Sequence, residues 1–434
     1  MNFRDVRTRV PGARGRDRYL WWVVTVAARQ PVLEPMMREP HMKNRLLLAG
    51  SAVLAGIGLC AATAPAAAAP APLAIGVACG DTAGLVTAVH RANARTEGAT
   101  ITLAENCAYR FEVDYGNSGT ALPAVTGRVS LIGEHTTLIR SVRGGVPRFR
   151  ILAVNERGRL TLKGVTVTGG HTDGDGGGIA NEGTLWMENG KVTGNRAAGA
   201  GGGISNEGGE VTLVHSEVLT NAATSTAASA SAPSASGDGG GLDNDATGLL
   251  TLRKSIVAGN TADGDGGGVR NRGTLIVESS HFTQNEARDA GGGIGNLGSA
   301  RIENSRFLEN RAGLDGGAVD NGGIATLEVH GTAFVDNKAG RDGGAIGNEG
   351  VALVKDSEVE GNQAGRDGGG VHNEQEEGSA PTRLTLDHTS VSENRAARTG
   401  GGTHNSAGAE LLLTESDITG NLPVNCADTV SGCS

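Results

Sequence analysis

Six aspartates stand immediately before glycine pairs: Asp175, Asp238, Asp265, Asp315, Asp342 and Asp367. The last three are separated by 27 and 25 residues. A repeating structure that brought them into line would set like charges about 5 Å apart. Carboxylates held that close either retain protons or share a hard cation, and calcium is the metal that such an oxygen-only set would take. Asp315, Asp342 and Asp367 are therefore the candidate metal ligands. Arg341 and Arg366 stand beside two of them and supply a rival reading, an exposed ladder of ion pairs, each contributing little. The hexapeptide Ala-Gly-Arg-Asp-Gly-Gly occurs at 339–344 and again at 364–369. A catalytic base has no need to be copied together with its turn, so the ladder is the preferred reading.

Other reactive types are sparse. His372 and His404 occupy equivalent positions and are expected to stack facing outward; two histidines without a third ligand suit a surface better than a metal. Asp173-Gly174-Asp175 and Asp263-Gly264-Asp265 look like fragments of calcium loops but lack the nonapeptide spacing of calcium-binding β-rolls. Neither a Ser/His/Asp triad motif nor a phosphate-binding loop is present. The chain has five cysteines. Cys60 falls in an apolar leader. Cys79 and Cys107 precede the repeats and Cys426 and Cys433 follow them, so of three pairings the sequence favours Cys79–Cys107 and Cys426–Cys433.

These groups are positioned by a repeat of about 25 residues, present in nine copies between Asp173 and Asn421. One copy, residues 291–310, reads GGGIGNLGSARIENSRFLEN. The residue after the glycines is Ile179, Ile204, Leu242, Val269, Ile294, Val319, Ile346, Val371 and finally Thr403. Two positions on, each copy has asparagine: Asn181, Asn206, Asn244, Asn271, Asn296, Asn321, Asn348, Asn373 and Asn405. A second asparagine closes each copy: Asn195, Asn221, Asn260, Asn285, Asn310, Asn337, Asn362, Asn394 and Asn421. Short period-two runs such as Leu185/Met187 and Leu275/Val277 mean strands, not helices. Three short strands and three corners per copy describe one coil of a solenoid. A single coil cannot bury its own inner face, so coils must stack. Glycine then serves the corners, and the two asparagine columns serve as inward amide ladders. The predicted fold is all-β: a right-handed, single-stranded parallel β-helix with an N-terminal capping helix. With 71 glycines in 434 residues and only 3 % aromatic side chains, an ordinary globular core is a poor fit.

The ends read differently. Residues 42–71 have the form of a secretory signal, with Lys43 and Arg45 before the apolar stretch Leu46–Leu59 and small residues near Ala69. Residues 1–41 lie upstream and are read as a misassigned extension. Residues 72–120 are assigned to an N-terminal cap, with Asp81 as N-cap and Leu85, Val86, Val89 and Ala92 on one helical face. Coils are expected over 121–421 and a disulfide-closed plug over 422–434. The insertions Ala222–Gly237 and Glu374–Thr382 are expected as side loops. The first 69 residues hold 10 Lys and Arg against 4 Asp and Glu, so the remainder carries 28 basic and 43 acidic residues, a net charge of −15. That balance argues against nucleic acid and anionic membranes as partners. No later stretch is long and apolar enough to span a membrane.

Gly316-Gly317-Ala318-Val319 and Gly343-Gly344-Ala345-Ile346 resemble the first signature of the polymorphic outer-membrane protein repeat. The runs Phe282–Asn285, Phe307–Asn310 and Phe334–Asn337 resemble its second signature. The resemblance covers residues 173–421 and implies a pectin-lyase-like β-helix at a bacterial surface, often adhesive. The family's outer-membrane members end in a translocating barrel, whereas 13 residues follow Asn421 here, so a secreted or wall-associated protein is expected. The expected function is an adhesin-like binding or structural scaffold with a polysaccharide or cell-surface ligand and no required cofactor. The competing expectation is a calcium-dependent polysaccharide lyase or glycoside hydrolase, because β-helix lyases use acidic residues on calcium and a basic residue as base.

Overall fold

The computed structural model describes residues 73–225, 237–375, 380–427 and 433. The signal segment and the extension before it lie outside the described residues, as do the centres of both insertions. From Leu73 onward the chain winds into the right-handed parallel β-helix expected from the sequence, about 13 turns built from three parallel sheets.

A representative coil contains Ile294–Asn296, Ser299–Glu303, Arg306–Leu308 and Arg311–Ala312. That is four strand segments, one more than the sequence suggested. The second and third segments belong to one long sheet of 23 segments that bends between them, and the first and fourth form sheets of 11 and 9. The bend falls on a residue with positive φ, such as Lys254, Ser279, Asp356 or His388. Asparagine or glycine, which usually marks such a conformation, fills the bend in other coils, as Asn189, Asn304 and Gly331 do. Stacking keeps every repeat in register: Ile294 lies beside Val319, Ala300 beside Leu327, Phe307 beside Phe334 and Ala312 beside Ala339. The insertions do not disturb it. Ile204 pairs with Leu242 and Val371 with Thr403 as if the extra residues were absent.

The core is a set of columns. Leu275, Val277, Phe282 and Ile294 face inward in one coil and meet the same positions of the next. Phe282, Phe307 and Phe334 stack face to face with centroids 4.7 and 5.0 Å apart. Three rings in one column use a small aromatic complement efficiently. Beside them run two buried amide ladders. In the first, each Asn Nδ2 donates to Oδ1 of the Asn one coil on, at 2.7–2.8 Å from Asn181 to Asn405. In the second, Oδ1 of Asn310 accepts from both the backbone N–H and Nδ2 of Asn285, while its own Nδ2 donates to Asn337 Oδ1 and Phe282 O. A third ladder has no counterpart in the sequence reading. Ser255, Ser280, Ser305 and Thr332 are buried, and the hydroxyl of each later member accepts the N–H of the one before, at 3.0–3.3 Å.

The N-terminal end is closed by helix α1, Thr82–Asn93. Asp81 caps it by accepting the Gly84 N–H at 2.7 Å, and Leu85, Ala88, Val89 and Ala92 are buried against the first strands. The stack begins within the segment assigned to the cap, ahead of the coils expected from residue 121: Leu73–Val77 already pairs with Ala99–Leu103, and that strand pairs with Arg128–Arg140. At the far end Cys426–Ala427 adds a strand to Thr403–His404. Disulfides join Cys79 to Cys107 and Cys426 to Cys433.

Candidate functional site

The groups singled out for chemistry converge along one side of the rod, where the glycine corner leads into the first strand of each coil. Gly316 sits at φ +62°, and a Cβ on Gly317 would collide with the carbonyl oxygen of Gly344. Glycine therefore lets successive corners close on one another. This packing walls in Asp238, Asp315, Asp342 and Asp367 ahead of the corner and Asp243, Arg270 and His372 on the strand that follows.

The expected exposed Asp ladder is corrected on one point: the aspartates are buried. Asp342 is 1 % exposed, and Asp315 and Asp367 are nearly as enclosed. One carboxylate oxygen reaches the next coil's backbone, since Asp315 Oδ1 accepts the Asp342 N–H at 3.2 Å and Asp342 Oδ1 accepts the Asp367 N–H at 3.0 Å. The same bond links Asp175 to Ala200, Asp238 to Asp265 and Asp265 to Ala290. The arginines reach backward by a coil. Arg341 pairs with Asp315 at 2.8 Å, Arg366 with Asp342 at 2.5 Å and Arg398 with Asp367 at 3.4 Å. Asp315, Asp342 and Asp367 thus already face guanidinium groups. Among the described residues no group of three or more His, Cys, Asp or Glu side chains is arranged to hold a metal ion.

The adjacent column holds Ser205, Asp243, Arg270, Gly295, Asp320, Gly347, His372 and His404, one per coil. The two histidines stack as expected, with centroids 4.9 Å apart, but His372 is buried, contrary to the outward surface position read from sequence. Burial lowers its pKa to about 4, opposed by Asp342 and Asp367 and aided by His404 and Arg366. Further up the column, Arg270 pairs with Asp238 and lies 3.7 Å from Asp243, while Arg272 lies 3.6 Å from Asp243. Asp243 Oδ1 is buried without a hydrogen bond. Burial raises the Asp243 carboxyl to about 7 against the pull of Arg272, and lowers Arg270 to about 9. Glu207 on the rim is raised by its partial burial and by Asp175. Asp243, Arg270 and Glu207 were not singled out from the sequence. The available signal was opposite charge at one repeat position, Asp243 and Arg270, 27 residues apart.

No family model matches the chain, the polymorphic outer-membrane repeat included, and no curated protein matches it. Similar solved structures include PfbA, a surface adhesin of Streptococcus pneumoniae, at 13 % identity and TM-score 0.40, covering 80 % of this chain and 87 % of that one. The catalytic unit of a thermostable GH87 α-1,3-glucanase from Streptomyces thermodiastaticus strain HF3-3 is similar at 14 % identity and TM-score 0.38, over 81 % and 70 % of the two chains. The Dettilon tailspike protein is similar at 13 % identity and TM-score 0.30, over 79 % and 65 %.

Proposed function

We propose that the chain is a secreted or cell-surface β-helix scaffold that presents its long flanks to a polysaccharide or cell-surface ligand, in the manner of an adhesin. The observation that carries this reading is the recurrence of its reactive groups. The same Asp–N–H bond and the same backward Asp–Arg pair are laid down coil after coil and consumed in joining coils. A catalytic centre needs a singular constellation open to substrate. Two disulfides suit an oxidising compartment. No helix among the described residues is long and apolar enough to cross a membrane.

One observation favours an acid-dependent depolymerase as the second reading. Asp243 is a singular carboxyl with a pKa near 7, the range a general acid needs. Against it, only 3 % of Asp243 is exposed, so a glycosidic oxygen has no approach to it. A glycan array probed with the secreted chain tests the scaffold reading. Selective retention on a subset of glycans is expected, and no retention on any glycan or on cell-surface material would contradict it.

A further inference from the structure

On the outer face of the long sheet, several cations meet an acid one coil on. Lys163 meets Glu188 one coil on at 3.0 Å, Arg253 meets Glu278 at 3.0 Å, Arg301 meets Glu328 at 3.0 Å and Arg383 meets Glu410 at 2.7 Å. At the N-terminal end like charges meet instead. There Arg128 lies in register with Arg159, on parallel strands about 4.8 Å apart. Arg157 in the preceding turn and Arg95 just beyond helix α1 line the same shallow depression, about 340 Å³ in volume. All four arginines are exposed, and among the described residues none has an ion-pair partner within 4 Å. Glu97 feels Arg95 at longer range, which helps lower its carboxyl pKa after its backbone and Thr96 hydrogen bonds.

The depression is held open by its own framework. Asn93 Oδ1 accepts the N–H groups of Thr126 and Gly127 at 2.9 and 3.2 Å, and its Nδ2 donates to Ala124 O at 2.8 Å. The end of the helix that carries Arg95 is thereby fixed to the turn that leads into Arg128. Gly98, at φ +86°, lies beneath Arg128, where a Cβ would come within 2.7 Å of the Arg128 Cβ. Four guanidinium groups line this depression with no carboxylate in its lining, on a chain of net charge −9, and form a receptor for oxyanions. The planar fork matches carboxylate and sulfate in two-point contact.

We propose that this depression binds the acidic groups of an anionic polysaccharide, carboxylated or sulfated, at the N-terminal end of the rod. The inference rests on the scaffold reading and names its ligand class. A glycan is favoured over a membrane or a duplex because the rest of the surface is acidic. A ligand with sparse charges can place a few of them here, whereas a broad anionic surface would be repelled elsewhere. The volume lies at the low end of the range for small-ligand sites, about 300–1,000 Å³, and suits a short segment of chain.

The test is calorimetric titration of the secreted chain with polygalacturonate, dextran sulfate and neutral dextran at two salt concentrations. Either charged polymer should bind, more weakly at higher salt, and neutral dextran should not. Arg128→Glu/Arg159→Glu should lose at least about tenfold in affinity, as two charge-assisted contacts imply, while Arg383→Ala on the far flank should not. Arg95→Ala/Arg157→Ala, outside the strand ladder, repeats the test should the first variant fail to fold, judged by circular dichroism. Undiminished binding by folded variants would overturn the site and leave the scaffold reading standing. Equal binding of neutral dextran, no binding of either charged polymer, or tighter capture by anionic phospholipid vesicles through the same arginines would overturn it too. Cleavage of polygalacturonate would instead overturn the scaffold reading and leave the site intact.

Discussion

The coil that carries Leu242-Asp243-Asn244 and the coil that carries Val371-His372-Asn373 place the same backbone in the same surroundings and differ at the middle position. In both, the apolar residue and the asparagine face inward and the amide joins the first ladder. The middle side chain faces outward, yet Asp243 is 3 % exposed and His372 7 %. The consequence is opposite in sign and the same in cause. Burial pushes the carboxyl up to about 7 and the imidazole down to about 4, so each is driven toward its neutral form. In this stretch of the column, outward does not mean solvated. The tight glycine corners shield Asp243, Arg270 and His372, and a titratable residue held that deep carries a desolvation cost that a charge on a neighbouring coil offsets.

The inner ladder should be indifferent to that contrast. Asn244 Nδ2 donates to Asn271 Oδ1 at 2.8 Å and Thr274 O at 3.1 Å; Asn373 Nδ2 donates to Asn405 Oδ1 at 2.7 Å and Glu410 O at 3.0 Å. Replacing either residue by leucine leaves buried partners on two coils unsatisfied and should cost about 3 kcal/mol, nearly the same in both coils. Denaturant unfolding checks this. A negligible loss in one coil alone would break the equivalence of the two environments.

The middle positions should then separate by pH. The folded-state pKa of Asp243 lies above its ordinary value of 3.8, so its contribution is fully present below that value and is lost as pH rises toward and through about 7. That of His372 lies below 6.5, so its contribution is present above 6.5 and is lost as pH falls toward and through about 4. Asp243→Asn should flatten the decline in melting temperature on the alkaline side of this window, and His372→Asn the decline on the acid side. Melting curves from pH 4 to 8 decide, and both variants altering the same limb would contradict the account. The smallest effect belongs outside the corner. Arg383 and Glu410 form a pair in which each side chain is 60 % exposed, and Arg383→Ala should change stability by about 0.5 kcal/mol or less in a thermal melt. A larger loss would mean that the long-sheet flank is less solvated than the contrast requires.

The stack was legible because its determinants are residue types. Eighteen asparagines in register, glycines ahead of an apolar residue and period-two strands each report a local need. The extra strand segment was hidden because the bend that divides the long sheet is filled in several coils by Lys254, Ser279 or His388, in a conformation that sequence associates with glycine. The hydroxyl ladder was hidden because serine and threonine suit surfaces as well as ladders, and only the register reveals Ser280 above Ser305. The corner column was partly legible. Its aspartates could be placed by spacing, but their depth, and the backward reach of Arg341 to Asp315 instead of sideways to Asp342, depend on how one coil's corner covers its neighbour. A spacing carries no information about that cover.

The corner groups join coils, and we propose that this is their whole role. The direct measurement is product formation from polygalacturonate, followed by absorbance of unsaturated ends and by reducing sugar, with and without millimolar calcium. The account predicts no product above the blank in either condition and a modest rise in melting temperature at most with calcium. Calcium-dependent product that disappears in Asp342→Ala and Arg341→Ala, with the circular dichroism spectrum unchanged, would contradict it.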